Sequence, residues 1–457
     1  MEKLKVFLAV AACKLTRFAL RVLRRGGTAL PGKVAMRLYP DLLGVLSRGV
    51  NVIAVTGTNG KTTSSRIVEQ ALLEAGADCF SNRSGSNLMQ GVTADFCAQA
   101  TLGGRVRRDW AVIECDEAAA KQLFPLLRPK AVLVTNVFRD QLDRYGEVTH
   151  TLENIRIGLS AVPETLLCLN ADCPLTASLA EKLSNRVTFF GVDADIYKSR
   201  VEEVSDAKRC LRCGAEYAYS HINYGHLGTW HCPSCGAARP HPQVCVTEIF
   251  SQTTDGASMT LTVDGQPHEC YVNLPGGYNI YNAAGAAAVV TTAGFPVEAA
   301  LAATADFNCG FGRMEKFTLG SAEARMILIK NPAGCNQVLN FLRNQEGEAL
   351  FVICLNDNFA DGTDVSWIWD VNFENLLELG ERLTGVIVSG TRAWDMALRL
   401  KYAGIPKEKL RVCTDWDALL REITAQDKPV FIMPTYTAML SLREKISRDY
   451  GYKQFWE

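Results

Sequence analysis

Net charge is almost absent from this sequence, in which 48 Lys and Arg stand against 49 Asp and Glu, a formal charge of −1. A chain so balanced has no overall field to draw it onto nucleic acid or an anionic membrane, and a polyanionic partner would need a local patch. Long apolar runs are missing too. Phe7-Leu8-Ala9-Val10-Ala11-Ala12-Cys13 is cut short by Lys14 and Arg17, with no small-residue cleavage site after it. This excludes a membrane-spanning helix and an export signal at that place. Histidine is scarce, at six residues, and no repeat or low-complexity tract interrupts the chain. Cysteine, by contrast, is plentiful at 16, yet most stand singly in runs such as Val352-Ile353-Cys354-Leu355. Reduced thiols in a cytoplasm fit that pattern better than a disulfide framework.

The chain has 457 residues, 48% hydrophobic and 21% charged, which is too long for one core and too apolar for disorder. An amphipathic helix is predicted over Met1–Arg25, with Lys14, Arg17, Arg21, Arg24 and Arg25 on or near one side. Two readings of it are open: packing on its own domain, or a basic face that touches a membrane at the inner side or a partner. From Val50, β-branched runs (Asn51–Thr56, Trp110–Glu114, Ala131–Thr135) alternate with helical stretches such as Thr62–Ala75. That alternation predicts α/β architecture with a parallel sheet. Around Lys208 to Pro242, cysteine, glycine and aromatics take over, and Val244–Val263 then reads as antiparallel strands with an Asp264-Gly265 turn. A helix over Asn282–Ala293 and a hinge at Gly310-Phe311-Gly312 follow. Strands over Arg325–Lys330, Ala349–Leu355, Gly385–Ser389 and Val430–Met433, with a helix over Arg392–Tyr402, predict a second, smaller Rossmann-like domain. The expected organisation is a helical segment 1–48, a central domain 49–309 with an insertion at 207–240, and a C-terminal α/β domain 310–457.

Three clusters carry chemistry. Thr56-Gly57-Thr58-Asn59-Gly60-Lys61-Thr62-Thr63 lies between a strand and a helix. Backbone N–H groups at such a helix start can cradle phosphates, Lys61 can neutralise them, and Thr62 can ligate Mg²⁺. ATP is the expected ligand. Cys210-Leu211-Arg212-Cys213 and Cys232-Pro233-Ser234-Cys235 are separated by 18 residues, and each is followed by Gly. Four thiolates at that spacing suit Zn²⁺, and a closed thiolate shell leaves no open position, so a structural role is expected, as a staple of the fold or a docking surface. The few basic residues nearby form no stripe that would bind nucleic acid. Finally, Asp357, Asp361 and Asp364 follow the strand Ala349–Leu355, at the sheet edge where ligands bind.

The phosphate loop resembles that of the Mur ligases, which share a central ATPase domain with the folylpolyglutamate synthetases. Glu114 stands where that family places a magnesium-binding Glu. Thr135-Asn136-Val137-Phe138-Arg139-Asp140-Gln141-Leu142-Asp143, Gly277-Tyr278-Asn279-Ile280-Tyr281-Asn282-Ala283 and Gly312-Arg313-Met314-Glu315 resemble three further family segments. The resemblance implies a Mur-type P-loop ATPase domain with nucleotide contacts from Thr58, Asn59, Gly60, Lys61, Thr62, Thr63, Asn279, Asn282 and Arg313, and Mg²⁺ at Thr62 and Glu114. Gln141 departs from the family's metal-associated His, and Lys330-Asn331-Pro332-Ala333-Gly334-Cys335-Asn336-Gln337 replaces its Asp-Tyr-Ala-His-Asn-Pro segment.

The zinc ribbon, that replacement segment and the run Asn356 to Asp370 together are similar to the amidating branch of the family. The similarity implies ATP-dependent amidation of D-glutamate in lipid II through an acyl phosphate, with Asp357 as the catalytic carboxylate and ammonia from a GatD-type glutaminase subunit. A cysteine on a glycine-rich nucleophile elbow is absent here, so nitrogen must come from outside the chain. The alternatives are a ligase that adds an amino acid and a non-catalytic, nucleotide-gated ribbon module.

Overall fold

The computed structural model describes residues 2–23, 27, 29–82, 86–139, 148–197, 205–307 and 313–452, the side chain of Arg313 excepted. The hinge Gly310-Phe311-Gly312, Gln141, Arg24 and Arg25 lie outside these residues.

Strand Asn51–Thr56 is apolar and buried along all but its first residue, because a parallel strand is covered on both faces. It lies inside a nine-stranded sheet. From one edge the order is Gln266–Val272, Ala257–Val263, Val244–Gln252, Val187–Val192, Leu166–Asn170, Ala131–Val134, Asn51–Thr56, Trp110–Glu114 and Cys79–Ser81. Only the pairings at the first edge are antiparallel, made by the hairpin after the cysteine module. Strand Asn51–Thr56 pairs with Trp110–Glu114 on one side and Ala131–Val134 on the other. The phosphate loop therefore leaves the sheet where strand order reverses, the usual place for a ligand.

The core of this sheet also takes in the N-terminal helices Glu2–Val22 and Ala29–Leu38, through Val6, Ala9, Val10, Cys13 and Ala35. The cysteine module forms a two-stranded sheet of its own, Ala218–Tyr224 with Leu227–His231. Trp230 Nε1 fastens it by donating to Ala171 O at 2.9 Å.

The second sheet runs Arg313–Leu319, Ala322–Ile327, Val430–Pro434, Ala349–Cys354, Leu383–Ser389, Leu410–Val412, parallel except for its first pair. An apolar cluster covers each face, one centred on Val338, Phe373 and Leu400, the other on Leu419, Met439 and Leu442. One strand differs from expectation. The run predicted over Arg325–Lys330 ends at Ile327. Asn331 caps the helix Pro332–Arg343, accepting from Gly334 N at 2.8 Å, and Pro332 starts that helix. The chain has to leave the sheet before it can present that cap. The helix predicted from Asn282 begins instead at Gly277, so Asn279 is helical too; its side chain donates to Pro275 O at 2.7 Å.

Contacts join the elements around the second sheet to those around the first. Arg139 Nη2 meets Asp370 Oδ2 at 2.7 Å, Tyr197 donates to Gln337 Oε1 at 2.8 Å, and Lys316 meets Asp255 at 2.6 Å. Within the second domain Arg443, only 2% exposed, holds Glu315 with Nε 3.1 Å from both carboxylate oxygens and Nη2 3.0 Å from one. Arg443→Ala removes a buried guanidinium and leaves the partly buried Glu315 carboxylate without it, and is expected to cost about 3 kcal/mol of stability by urea unfolding. A cost below about 1 kcal/mol would show that water replaces the guanidinium freely.

Candidate functional site

The turn that opens the helix Lys61–Glu74 is made by Gly57 (φ 120°) and Gly60 (φ 86°). Neither position has room for a side chain. A Cβ on Gly57 would lie 2.4 Å from Thr135 Oγ1, and one on Gly60 would lie 2.0 Å from Asn282 Oδ1. The loop is held from beneath by the segment after strand Ala131–Val134. Thr135 Oγ1 donates to Asn59 O at 2.7 Å, and Asn136 Oδ1 accepts from Asn59 N at 3.0 Å.

Lys61 is buried, so its ammonium needs compensation. It donates to Gly57 O at 2.6 Å, to Thr58 O at 3.3 Å and to Glu117 Oε1 at 3.0 Å. Burial pushes the Glu117 carboxyl up, and Lys61 works against that shift. Glu114 ends its strand opposite Val55, with its backbone held by both ends of the Asn82 amide at 2.8 Å. On the other side of the loop, Asn282 Nδ2 donates to Asn279 Oδ1 at 2.9 Å, and Ser64 Oγ reaches Asn282 Oδ1 at 3.4 Å.

Residues that follow a strand of the second sheet reach this loop. Lys330 Nζ lies 3.5 Å from Thr58 O, and Asn331 Nδ2 donates to Asn59 Oδ1 at 3.1 Å. Both residues follow the carboxyl end of strand Ala322–Ile327. Asp357 follows the carboxyl end of the parallel strand Ala349–Cys354, at the same edge. Its oxygens accept from Thr391 Oγ1 at 2.9 Å and from Arg392 Nη1 at 3.0 Å. The Arg392 hydrogen bond, and then that from Thr391, hold its carboxyl below the usual range. Asp361 and Asp364 are occupied structurally. Asp361 accepts from the backbone and hydroxyl of Thr437 at the start of the helix Tyr436–Tyr450, and Asp364 accepts from Ser366 N at 2.8 Å.

The four sulfurs of Cys210, Cys213, Cys232 and Cys235 all lie within 4.8 Å of one another, the one such group among the described residues that could hold a metal ion. Pairs stand 3.6 Å (Cys210–Cys235) and 3.5 Å (Cys213–Cys232) apart, close to the edge of a tetrahedron around one ion. Burial opposes ionisation of Cys210, but the N–H groups of Arg212 and Cys213 overcome it and bring its thiol down to about 6.

With this geometry in view, comparison with known proteins decides the family. Residues 55–229 match the Mur ligase middle domain, and residues 328–439 match the MurT ligase C-terminal domain. The chain is 32% identical to the lipid II isoglutaminyl synthase (glutamine-hydrolyzing) subunit MurT of Streptococcus pneumoniae strain R6 over 97% of each chain. It is also 32% identical to the Staphylococcus aureus strain COL subunit of that name, over 97% of this chain and 98% of the other. The chain belongs to the MurT family. It is thus an enzyme of the Mur ligase type. Solved structures that share its fold include MurF from Acinetobacter baumannii (TM-score 0.65, 15% identity, 91% and 80% of the two chains). Another is Mycobacterium tuberculosis folylpolyglutamate synthase (TM-score 0.62, 15% identity, 90% and 94%).

Of the residues singled out in the sequence, this MurT-family fold brings Thr58, Asn59, Gly60, Lys61, Thr62, Thr63, Glu114, Asn279 and Asn282 to one sheet edge and the helix ends beside it. Arg313 lies outside description at its side chain, and Asp357 belongs to the facing sheet. Sequence reasoning gave no site role to Glu117, Asn136, Lys330, Asn331 or Arg392. Glu117 had a visible signal, standing three residues after Glu114 in Glu-Cys-Asp-Glu, while Lys330 and Asn331 sat inside the segment already seen to depart from other Mur ligases. Gly60→Ala drives a methyl into Asn282 and strains a positive φ; its affinity for ATP by calorimetry is expected to fall by about tenfold or more. Unchanged affinity would mean that the phosphates sit elsewhere.

Proposed function

We propose that this chain is the synthetase subunit of a lipid II isoglutaminyl synthase. It amidates the α-carboxylate of D-glutamate in the lipid II stem peptide, with ATP, Mg²⁺ and ammonia from a GatD-type glutaminase partner. What carries this reading is the meeting of two carboxyl edges: Lys330 and Asn331 of the second sheet touch the phosphate loop, and Asp357 shares their edge.

A carboxylate oxygen is too poor a leaving group to be displaced by ammonia directly. The γ-phosphoryl group of ATP would pass to that oxygen, ADP would depart, and ammonia would then attack the acyl phosphate carbon as orthophosphate leaves. The cradle without room for a Cβ at Gly57 and Gly60 fits a phosphate chain. Lys61 would turn from Glu117 toward the transferring phosphoryl group, while Thr62 and Glu114 would hold Mg²⁺, which supplies charge neutralisation. Arg313 would complete the cluster by its family position.

Asp357 suits the ammonia step, and its environment refines the role. A carboxylate held below its usual range by Arg392 is a weak base but a dependable anion. It would hold incoming ammonium by charge and orient the nitrogen, with the proton going to solvent. Since the shift is downward, that anion persists at neutral pH and is lost only as pH falls through the lowered value.

The glutaminase needs a seat near Asp357. Helix Ala393–Tyr402 starts one residue after Arg392 and exposes Trp394, Leu398 and Tyr402 at four-residue spacing, an apolar stripe beside the point of ammonia delivery. We assign the partner to that stripe.

The test is amidation of lipid II followed by mass spectrometry, with ammonium or with glutamine plus the partner. Asp357→Asn is expected to lower both rates by about 100-fold, and Trp394→Glu to lower only the glutamine-supported one. Full amidation by Asp357→Asn, or incorporation of an added amino acid with lipid II left unamidated, would overturn the reading.

We also infer that the four cysteines hold structural zinc. Purified protein is expected to carry about one zinc per chain, and Cys232→Ser to lose it together with several degrees of thermal midpoint. Metal-free protein of unchanged midpoint would refute the assignment.

A further inference from the structure

Helix Glu2–Val22 is amphipathic in an unusual sense. Its inner face, Val6, Ala9, Val10 and Cys13, is packed into the core. At 100° per residue, the opposite face carries Leu4, Phe7, Leu8, Leu15, Phe18 and Val22, exposed by between 43% and 68%. The outward face of a surface helix is normally polar; this one carries an apolar stripe that runs from Leu4 to Val22 of a 21-residue helix.

The flanks are cationic. Lys3, Lys14 and Arg21 line one edge of the stripe, beside Arg17, which reaches Asp95 at 3.6 Å while staying half exposed. The next helix, Ala29–Leu38, repeats the mixture on its exposed side with Leu30, Lys33, Arg37 and Leu38. Residues 1–38 hold nine Lys and Arg against one Glu, so all but one of the acidic residues that balance the chain lie outside them. The near-zero total conceals a strong local asymmetry.

We propose that this face docks the protein flat on an anionic bilayer. The stripe would enter the boundary between headgroups and acyl chains, and the lysines and arginines beside it would meet lipid phosphates. No helix among the described residues is long and apolar enough to cross a membrane, and the inner face is already committed to the core, so the helix lies on the surface and does not span it. A second copy of the chain is a poor occupant. A two-fold pairing through this face would set one cationic patch against another. An anionic bilayer satisfies the apolar stripe and the charge together. The inference goes beyond the amidation chemistry and does not depend on it, although a lipid-borne substrate would give such a face a use.

The test is flotation of the purified full chain with vesicles of phosphatidylcholine, with and without phosphatidylglycerol, alongside light scattering for mass. The wild-type chain is expected to float with the anionic vesicles and about tenfold less with the neutral ones. Leu15→Glu/Phe18→Glu, with an unchanged melting temperature, is expected to float about tenfold less than wild type. Should that variant melt lower, Leu15→Ser/Phe18→Ser gives the same readout with a milder change. Flotation of a folded variant equal to wild type overturns the proposal. So does a wild-type chain that stays in solution with every vesicle, or one that is a dimer dissociated by the substitutions. Because no ATP, lipid II or glutaminase is present, failure here would leave the amidation reading standing, and failure of amidation would leave this one.

Discussion

A buried ammonium organises this protein. Lys61 sits out of water at the start of its helix, and a lone charge there would be expensive. Two carbonyls of its own loop and the Glu117 carboxylate compensate it, and these bonds hold the loop in its bent shape. Bound phosphates would compete with Glu117 for the same cation. The other site elements are arranged around this loop: Thr135 and Asn136 hold Asn59 from below, Asn282 fills the space left by Gly60, and Asn331 reaches Asn59 from the second domain.

The cysteine module is remote from this loop in sequence but mechanically joined to it. Arg239, just past the second knuckle, donates to Asp172 at 2.7 Å, and Asp172 accepts from Tyr281 at 2.6 Å. Tyr281 neighbours Asn282 on the Ala-rich helix that abuts the phosphate loop. Burial raises the Asp172 carboxyl while Arg239 opposes it, the pattern of a charge kept in place by its partner. A module that looks like an ornament on the sheet therefore braces a helix that borders the loop Gly57–Lys61.

The carboxylate-rich run after strand Ala349–Cys354 was legible as a loop at the carboxyl edge of the sheet, but the partners of its acids were not. In the sequence Asp357, Asp361 and Asp364 are equivalent acids in one loop. Folding gives two of them backbone groups to cap and gives Asp357 a guanidinium 35 residues further along the chain. Arg392 was invisible as a partner because nothing local connects it to Asp357; two parallel strands bring their loops together at the sheet edge.

By itself the sequence determined whatever depends on local chemistry. The phosphate loop follows from Gly57, Gly60 and Lys61 between a strand and a helix, the cysteine quartet from its knuckle spacing, and the α/β class from β-branched runs alternating with helices. The tertiary structure alone decided what depends on distant groups meeting. Leu166–Asn170 and Val187–Val192 are strands because their neighbours bury them, although Leu166-Leu167-Cys168-Leu169 has no β-branched residue to announce it. The same holds for Glu117 on Lys61, for Asn331 on the phosphate loop, and for the apolar outer face of the N-terminal helix. A helical period read from sequence shows that one stripe is apolar, but only packing decides which stripe the core takes and which is left to face outward.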